Sequence, residues 1–476
     1  MAVSPQLHAA IAAHRFGLGE PNLGVVGGDA QGWLAAQIGP ADAARGSGLL
    51  DTRQALALVA AERENRQLAK NPPTGQTAQQ VMAGHYRESI VADARSRLAT
   101  AAATKRPFAE RLQWFWANHF TVSLLKGSTR GLVGAFERDA IRPNIAGRFE
   151  TMLVASTTHP AMLRYLDNWL SAGPHSRVVA FEARRATRME EGPRVSGINE
   201  NLAREVLELH TLGAESARSG IYTQADVTSF AAVLTGWRIT RDPLPDASMF
   251  DAKWHEPGAK NVLGKRYGEG PDALREVLHD LAAHPATARF VATKLARHFV
   301  ADEPPPALVD RLAAVYLKSE GQLAEVYREL IRDDASWGAE PAKLKTPEEL
   351  VLSTARILPG GDRMFDGPQI VTAAGGGGGN PALAVVGLGQ RTMAAPSPAG
   401  WSDRAEDWLG PDAVWKRVEW ATRVADRAGR NVDARRLAAD SLGPRLGADT
   451  ARQIERAADG SQALALLLLA PEFQRR

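Results

Sequence analysis

Residues 197–213 read GINENLAREVLELHTLG, and four side chains in this stretch share one side of a helix. At about 100° per residue, Asn201, Arg204, Glu205 and Glu208 project together, while Leu202, Val206 and Leu209 lie opposite. Two carboxylates three residues apart can meet one ligand, and Arg204 between them can neutralise charge or clamp an acid. Such a group suits acid/base cleavage of a glycosidic or ester bond. One carboxyl raised by burial gives the proton and an ionised partner assists. The competing reading is a solvated polar face with His210 as a satisfied core histidine, which is what most helices of this type present.

Two further helices carry chemistry-bearing residues. In FAERLQWFWANHF (108–120), His119 lies on an aromatic-rich face with Phe108, Leu112 and Phe115. In LVGAFERDAIR (132–142), Glu137 falls among Val133, Ala140 and Ile141. A glutamate on an apolar face must be paired, metal-bound or protonated, and a structural ion pair with Arg142 or Arg204 is the alternative to a site. His119 and His210 are the candidate ligands of a divalent metal. The spacing argues against a simple version. Glu205-x-x-Glu208-x-His210 is not the Glu-x-x-His of di-metal bundles, and Glu205 and His210 point roughly 140° apart on an ideal helix. Trp116, Trp237, Arg142 and His255 are the candidate substrate-binding residues, with core packing the commoner role for the tryptophans. The predicted site therefore lies where the 197–213 helix meets the 108–120 and 132–142 helices.

The elements that must hold these residues have readable ends. Asn199 is expected as an N-cap and Gly213 as the C′ residue of the first helix. Thr223, three before Asp226, reads as a capping box for a helix with Val227, Phe230, Ala231 and Leu234 at helical spacing. Thr346 followed by Pro347 opens another helix. Residues 171–196 read as a long polar loop whose Arg177, Arg184, Arg185 and Arg188 meet either an anion or solvent. Residues 238–270 are expected to be irregular or short β. Gly375 to Gly379 lack the phosphate-loop frame and read as a connector. The expected fold is all-α, a multi-helix non-bundle architecture with that one irregular or short-β insertion. A main domain over 1–360 would carry the site, and 361–476 would be a connector and helical scaffold packed on it. All eleven histidines precede residue 299, so the C-terminal part offers none to a site.

The chain has 476 residues, a formal charge of +3 and no cysteine, which removes disulfides, thiolate metal sites and thiol nucleophiles. Basic residues are spread along it, so nucleic acid is not an expected partner. No apolar run reaches the length of a membrane span, and the start shows no export signal, which makes a cytoplasmic location the default. A G-x-S-x-G elbow is absent, which argues against a standard serine hydrolase.

Several strings together resemble the bacterial domain-of-unknown-function family 1800. They are Arg15-Phe16-Gly17, Trp116-x-Asn118-His119-Phe120, Ile141-Arg142-Pro143, His159-Pro160-Ala161-Met162-Leu163, the 199–213 string, Leu234-Thr235-Gly236-Trp237 and Gly400-Trp401. The chain departs from the family pattern with His255-Glu256 in place of His-Asp, and with its prolines split as Pro396-Ser397-Pro398. The resemblance implies little chemistry. It implies a sulfatase- or phosphatase-like neighbour as partner, and export for many members. From the residues, the leading expectation is an enzyme with a buried Glu/His/Arg site performing metal-dependent or acid/base hydrolysis. The alternative is a non-catalytic binding or assembly module whose polar string is a structural network.

Overall fold

The computed structural model describes residues 4–189, 195, 197–239, 249–365 and 381–476. These residues form an all-α protein with a small two-stranded antiparallel sheet, Lys260–Val262 paired with Lys265–Tyr267. That hairpin is the short-β part of the expected insertion, of which residues 240–248 lie outside the described residues, as does the Gly375–Gly379 connector. No helix among the described residues is long and apolar enough to cross a membrane.

Two hydrophobic cores organise the chain. One runs from Ala9 to Trp337 and includes Phe108, Trp116, Phe149, Phe230 and Phe299. The other gathers Leu350 to Phe473 and takes in Leu18, Leu98 and Trp114 from the N-terminal half. The helix Pro107–His119 joins them, because it is buried on every side. Its apolar positions face the first core, apart from Trp114, which packs in the second. Its polar ones reach paired charges, Glu110 to Arg142 and Arg111 to Glu349.

Several helix ends follow the sequence. Thr223 and Asp226 form the capping box of Gln224–Leu234, and Thr346 with Glu349 forms that of Pro347–Ile357. Asn199 Oδ1 accepts the Asn201 N–H at 2.9 Å, with the helix Asn201–Glu205 beginning one residue later than a cap at Asn199 would give. Gly213 follows at φ +88°, and a Cβ there would lie 2.7 Å from the Phe290 ring. Two features differ from expectation. Half of the anticipated 171–196 loop is the helix Arg177–Met189. Its sequence, RVVAFEARRATRM, holds good helix formers and neither Gly nor Pro, and only the flanks carry loop residues. The second difference is three π-helical turns: Val206–Thr211 inside the 199–213 string, and Ala12–Phe16 and Glu137–Ile141, which run into the strings Arg15-Phe16-Gly17 and Ile141-Arg142-Pro143. A π turn widens the helix and shifts every later side chain around the axis, so projections based on 3.6 residues per turn fail beyond it.

Candidate functional site

The π turn Val206–Thr211 continues the helix Asn201–Glu205 directly and divides the predicted group. Asn201 is exposed. Arg204 turns to Glu200 Oε2 at 3.1 Å and Gln224 Oε1 at 3.0 Å, away from the two downstream carboxylates. Glu205 and Glu208 are half-buried and neither has a hydrogen-bond or ion-pair partner among the described residues. Burial, then the Glu208 charge, raises the Glu205 carboxyl above its ordinary range, and Arg204 opposes them. The hydroxyls of Tyr165 and Tyr222 are electrostatic neighbours of this pair.

His210 and His119 lie elsewhere, in an aromatic box. Their ring centroids are 6.2 Å apart and both rings are enclosed by Phe120, with Trp116, Phe149 and Phe290 around His119. His119 Nε2 donates to the His210 carbonyl at 3.0 Å, and the Nδ1 of each ring has no partner. Burial and the Lys294 ammonium push both imidazoles well below their ordinary value, His210 to about 3, so both are neutral. No carboxylate joins them, and no three His, Asp or Glu side chains among the described residues form a metal-holding group. The donor set expected for a divalent metal at His119 and His210 is thus not assembled among the described residues, and Glu205 lies away from His210 as the helical projection had it.

Glu137 and Arg142 belong to a buried ionic network. Arg97 Nη1 donates to both Glu137 oxygens at 2.7 and 2.8 Å, and Gln113 Nε2 adds a third bond at 3.1 Å. The partner is Arg97, not Arg142 or Arg204. Arg142 is engaged twice by Glu110, at 2.6 and 3.0 Å, and by the Asp42 carbonyl. Trp116 is fully buried, its Nε1 donating to the Tyr327 hydroxyl. No hydrogen bond or ion pair joins Glu137 to Glu205, Glu208 or the histidines. The helix Pro107–His119 thus meets the 197–213 stretch through His119 and the 137–141 turn through Gln113, and the polar groups are not pooled in one site.

The remaining two predicted residues lead to an open cavity of about 630 Å³, lined in part by His175, Arg177, Phe250, Lys253, His255 and Glu269. Trp237 backs it through Phe250, with ring centroids 5.8 Å apart. At the wall, Glu256 Oε1 accepts from His175 Nδ1 at 2.6 Å, and Glu256 Oε2 accepts from the His175 backbone N–H at 2.9 Å. The His175 side chain is 78 % exposed, whereas that of Glu256 is 14 % exposed. Gly173 makes this closeness feasible, since a Cβ there would lie 2.5 Å from Glu256 Cα. Deeper in, His255 Nδ1 donates to the Thr235 carbonyl at 2.7 Å, which fixes Nε2 as an acceptor for the Lys260 ammonium at 2.8 Å. Burial lowers both the His255 and the Lys260 values. The sequence pointed to His255, Trp237 and the His255-Glu256 pair. His175 was missed, because only the fold brings it to Glu256 from 81 positions away.

Comparison with known proteins gives a family and no closer neighbour. No curated protein and no solved structure matches the chain. A family model described as "Protein of unknown function (DUF1800)" matches residues 11–475, nearly the whole length. The chain therefore belongs to the DUF1800 family of proteins of unknown function.

Proposed function

We propose that the protein is a hydrolase of ester-type bonds that works by acid/base chemistry, with His175 as general base. The observation that carries this reading is the His175–Glu256 contact at the wall of the cavity. A carboxylate on Nδ1 fixes the tautomer and stabilises the imidazolium, and leaves Nε2 without a protein partner to meet water or substrate. In the step, Nε2 takes a proton from water as the water oxygen bonds to the ester carbon. The bond to the leaving oxygen then breaks, and Nε2 returns the proton to it. Arg177 and Lys253 on the same wall can meet a developing oxyanion, while Asp251 and Glu269 balance their charge, so the lining selects no net charge in the substrate. The reading uses no metal step, because the residues at hand do not fit one.

A second reading keeps the predicted pair, Glu205 as acid and Glu208 as its ionised partner. It is supported by their lack of protein partners and the raised Glu205 carboxyl. The non-catalytic reading draws support from the signature string itself, since His119, His210, Trp116 and Glu137 are all spent on packing and pairing. The test is a screen of carboxylic and phosphoric p-nitrophenyl esters with the wild-type chain, His175→Ala and Glu205→Gln. Turnover lost with His175→Ala and kept with Glu205→Gln is the expected result. Loss only with Glu205→Gln moves the chemistry to the glutamates, and no turnover in the wild-type chain favours the binding module.

A further inference from the structure

The His175–Glu256 dyad stands on main chain without helix or strand, and its two halves lie 81 positions apart in the sequence. The turn 173–176 presents His175, with the Ser176 N–H donating to the Gly173 carbonyl at 2.9 Å. Three bonds seat this turn on the segment 253–256. The Gly173 N–H donates to the Trp254 carbonyl at 2.9 Å, the Val178 N–H to the Lys253 carbonyl at 3.1 Å, and the His175 N–H to Glu256 Oε2 at 2.9 Å. The place of the dyad is therefore set by whatever holds residues 253–256.

Two buried side chains hold the main chain of Glu256 from its two ends. Thr235 is the C-cap of the helix Gln224–Leu234. Its hydroxyl donates to the Ala232 carbonyl at 2.6 Å, which leaves Oγ1 to accept the Glu256 N–H at 2.8 Å. Its carbonyl takes the His255 Nδ1 proton at 2.7 Å. Lys260 opens the first strand of the hairpin. Its ammonium donates to the Glu256 carbonyl and, at 2.8 Å, to His255 Nε2. Glu256 is thus engaged at both its N–H and its carbonyl, and the neighbouring His255 ring at both nitrogens.

The turn that carries Thr235 is itself fixed. Asn168 Nδ2 donates to the carbonyls of Leu234 at 3.0 Å and Trp237 at 2.9 Å. Gly236, at φ +89°, lets the cavity segment approach, since a Cβ there would lie 3.0 Å from the Phe250 ring and 3.1 Å from His255 Cβ. Packing alone does not explain the two side chains. An ammonium buried here costs free energy, and burial lowers the Lys260 value. Methionine has nearly the same length and would fill the space without that cost. What the ammonium adds is a pair of directed bonds to residues 255 and 256. Valine would fill the place of Thr235 equally well, but the Glu256 N–H would lose its acceptor.

We infer that Thr235 and Lys260 are positioning residues for the dyad, clamping the Glu256 main chain so that its carboxylate meets Nδ1 of His175. The clamp's effect on rate rests on the proposed hydrolase chemistry, whereas its effect on the His175 ring rests on the contacts alone. Glu256 accepts from Nδ1, so the neutral ring carries its proton there. An imidazole free in water favours the proton on Nε2 instead. Removing Lys260 also takes a cation from the neighbourhood of the Glu256 carboxylate. On its own that would tighten the carboxylate's hold on the Nδ1 proton. A loosened dyad without Lys260 therefore reports lost position and not lost charge.

The test is nitrogen NMR of the full chain labelled with ¹⁵N-histidine, at alkaline pH where imidazoles are neutral, beside kinetics on p-nitrophenyl esters. His175→Ala identifies the His175 resonances. The wild-type ring is expected as the Nδ1–H tautomer. Thr235→Val and Lys260→Met should each move it towards Nε2–H, lower kcat about 10- to 100-fold and leave KM within about twofold. Thr235→Ser keeps the hydroxyl and should restore both the tautomer and kcat. A wild-type tautomer in either folded variant overturns the inference, and so does a Thr235→Ser chain that behaves like Thr235→Val. Failure of both Thr235→Val and Lys260→Met to fold overturns it too, because the contacts then serve the fold and not the dyad. A wild-type chain inert towards esters sinks the hydrolase reading, and the clamp then stands or falls on the tautomer alone.

Discussion

The molecule treats two pairs of histidines in opposite ways. His119 and His210 sit among aromatic rings, share one carbonyl contact and leave each Nδ1 idle. His175 and His255 sit at a cavity, and each has one ring nitrogen fixed by a defined partner, Glu256 or the Thr235 carbonyl. The first pair comes from the most distinctive strings in the sequence and the second from a stretch with no helical pattern. Distinctive strings here specify buried packing, in which a polar group must meet one particular neighbour. Residues able to do chemistry lie where the chain is less regular and solvent can enter.

The largest way to break this contrast is to remove the cavity base. His175→Ala is expected to lower kcat/KM on an ester substrate by about 10²–10⁴-fold, the usual worth of a positioned general base. Its melting temperature should stay close to wild type, because the side chain is mostly exposed. Glu256→Gln should cost less and shift the pH profile, since it alters the tautomer and charge at Nδ1 without removing the base. Equal activity in His175→Ala would erase the distinction between the two pairs.

The buried side should respond in stability and not in turnover. Trp116→Ala is expected to cost about 3–5 kcal/mol by opening a cavity beside Phe149 and Tyr327. Arg97→Met should cost about 3–5 kcal/mol, because it leaves the buried Glu137 with only the Gln113 amide and takes the same guanidinium from Glu348. Urea denaturation measures both, and the folded fraction of either variant should hydrolyse esters at the wild-type rate. A selective loss of turnover in Arg97→Met would bring Glu137 back as a site residue.

A third test uses pH. Burial holds His119 and His210 neutral in the folded chain, whereas unfolded histidine takes a proton below about pH 6.5. Their folded values lie below the unfolded one, so the unfolded state binds more protons as pH falls. The stability they contribute is complete above about pH 6.5 and is lost progressively towards pH 3. Each such histidine adds a slope of up to about 1.4 kcal/mol per pH unit in this window. His210→Leu is expected to flatten the unfolding free energy between pH 6.5 and 4 by about that amount. An unchanged slope would mean that the ring takes its proton in the folded state, as a site histidine would.

How far the sequence reaches can be read from the same residues. Periodicity and caps located the helices Gln224–Leu234 and Pro347–Ile357, because capping and apolar spacing are local properties. The enclosure of His119 was legible from its aromatic face for the same reason. The separation of Glu205 from His210 was legible in the ideal-helix projection, whereas the π turn Val206–Thr211 was not, since ELHT carries no reliable local signature for it. The helix Arg177–Met189 was hidden by its Gly and Pro flanks, although its interior is helix-favouring. His175 with Glu256, and Arg97 with Glu137, are long-range pairs that only tertiary packing creates.

The smallest expected effect separates the two acid/base readings most cleanly. Arg204→Ala removes one partner of Glu200, but Glu200 keeps the Thr228 hydroxyl at 2.6 Å and Gln224 Nε2 at 2.8 Å. The Arg204–Glu200 pair is substantially exposed, so its loss should cost no more than about 0.5 kcal/mol. Arg204 is also the charge that restrains Glu205 against burial and against Glu208. Without it the Glu205 carboxyl must titrate at still higher pH, which carboxyl-selective NMR of the folded variant can follow. Should Glu205 be the acid, the basic limb of the rate profile moves up with that titration while the fold stays intact. Should His175 with Glu256 do the chemistry, the NMR titration moves and the rate profile does not, because the dyad sits on other elements and exchanges no contact with Arg204.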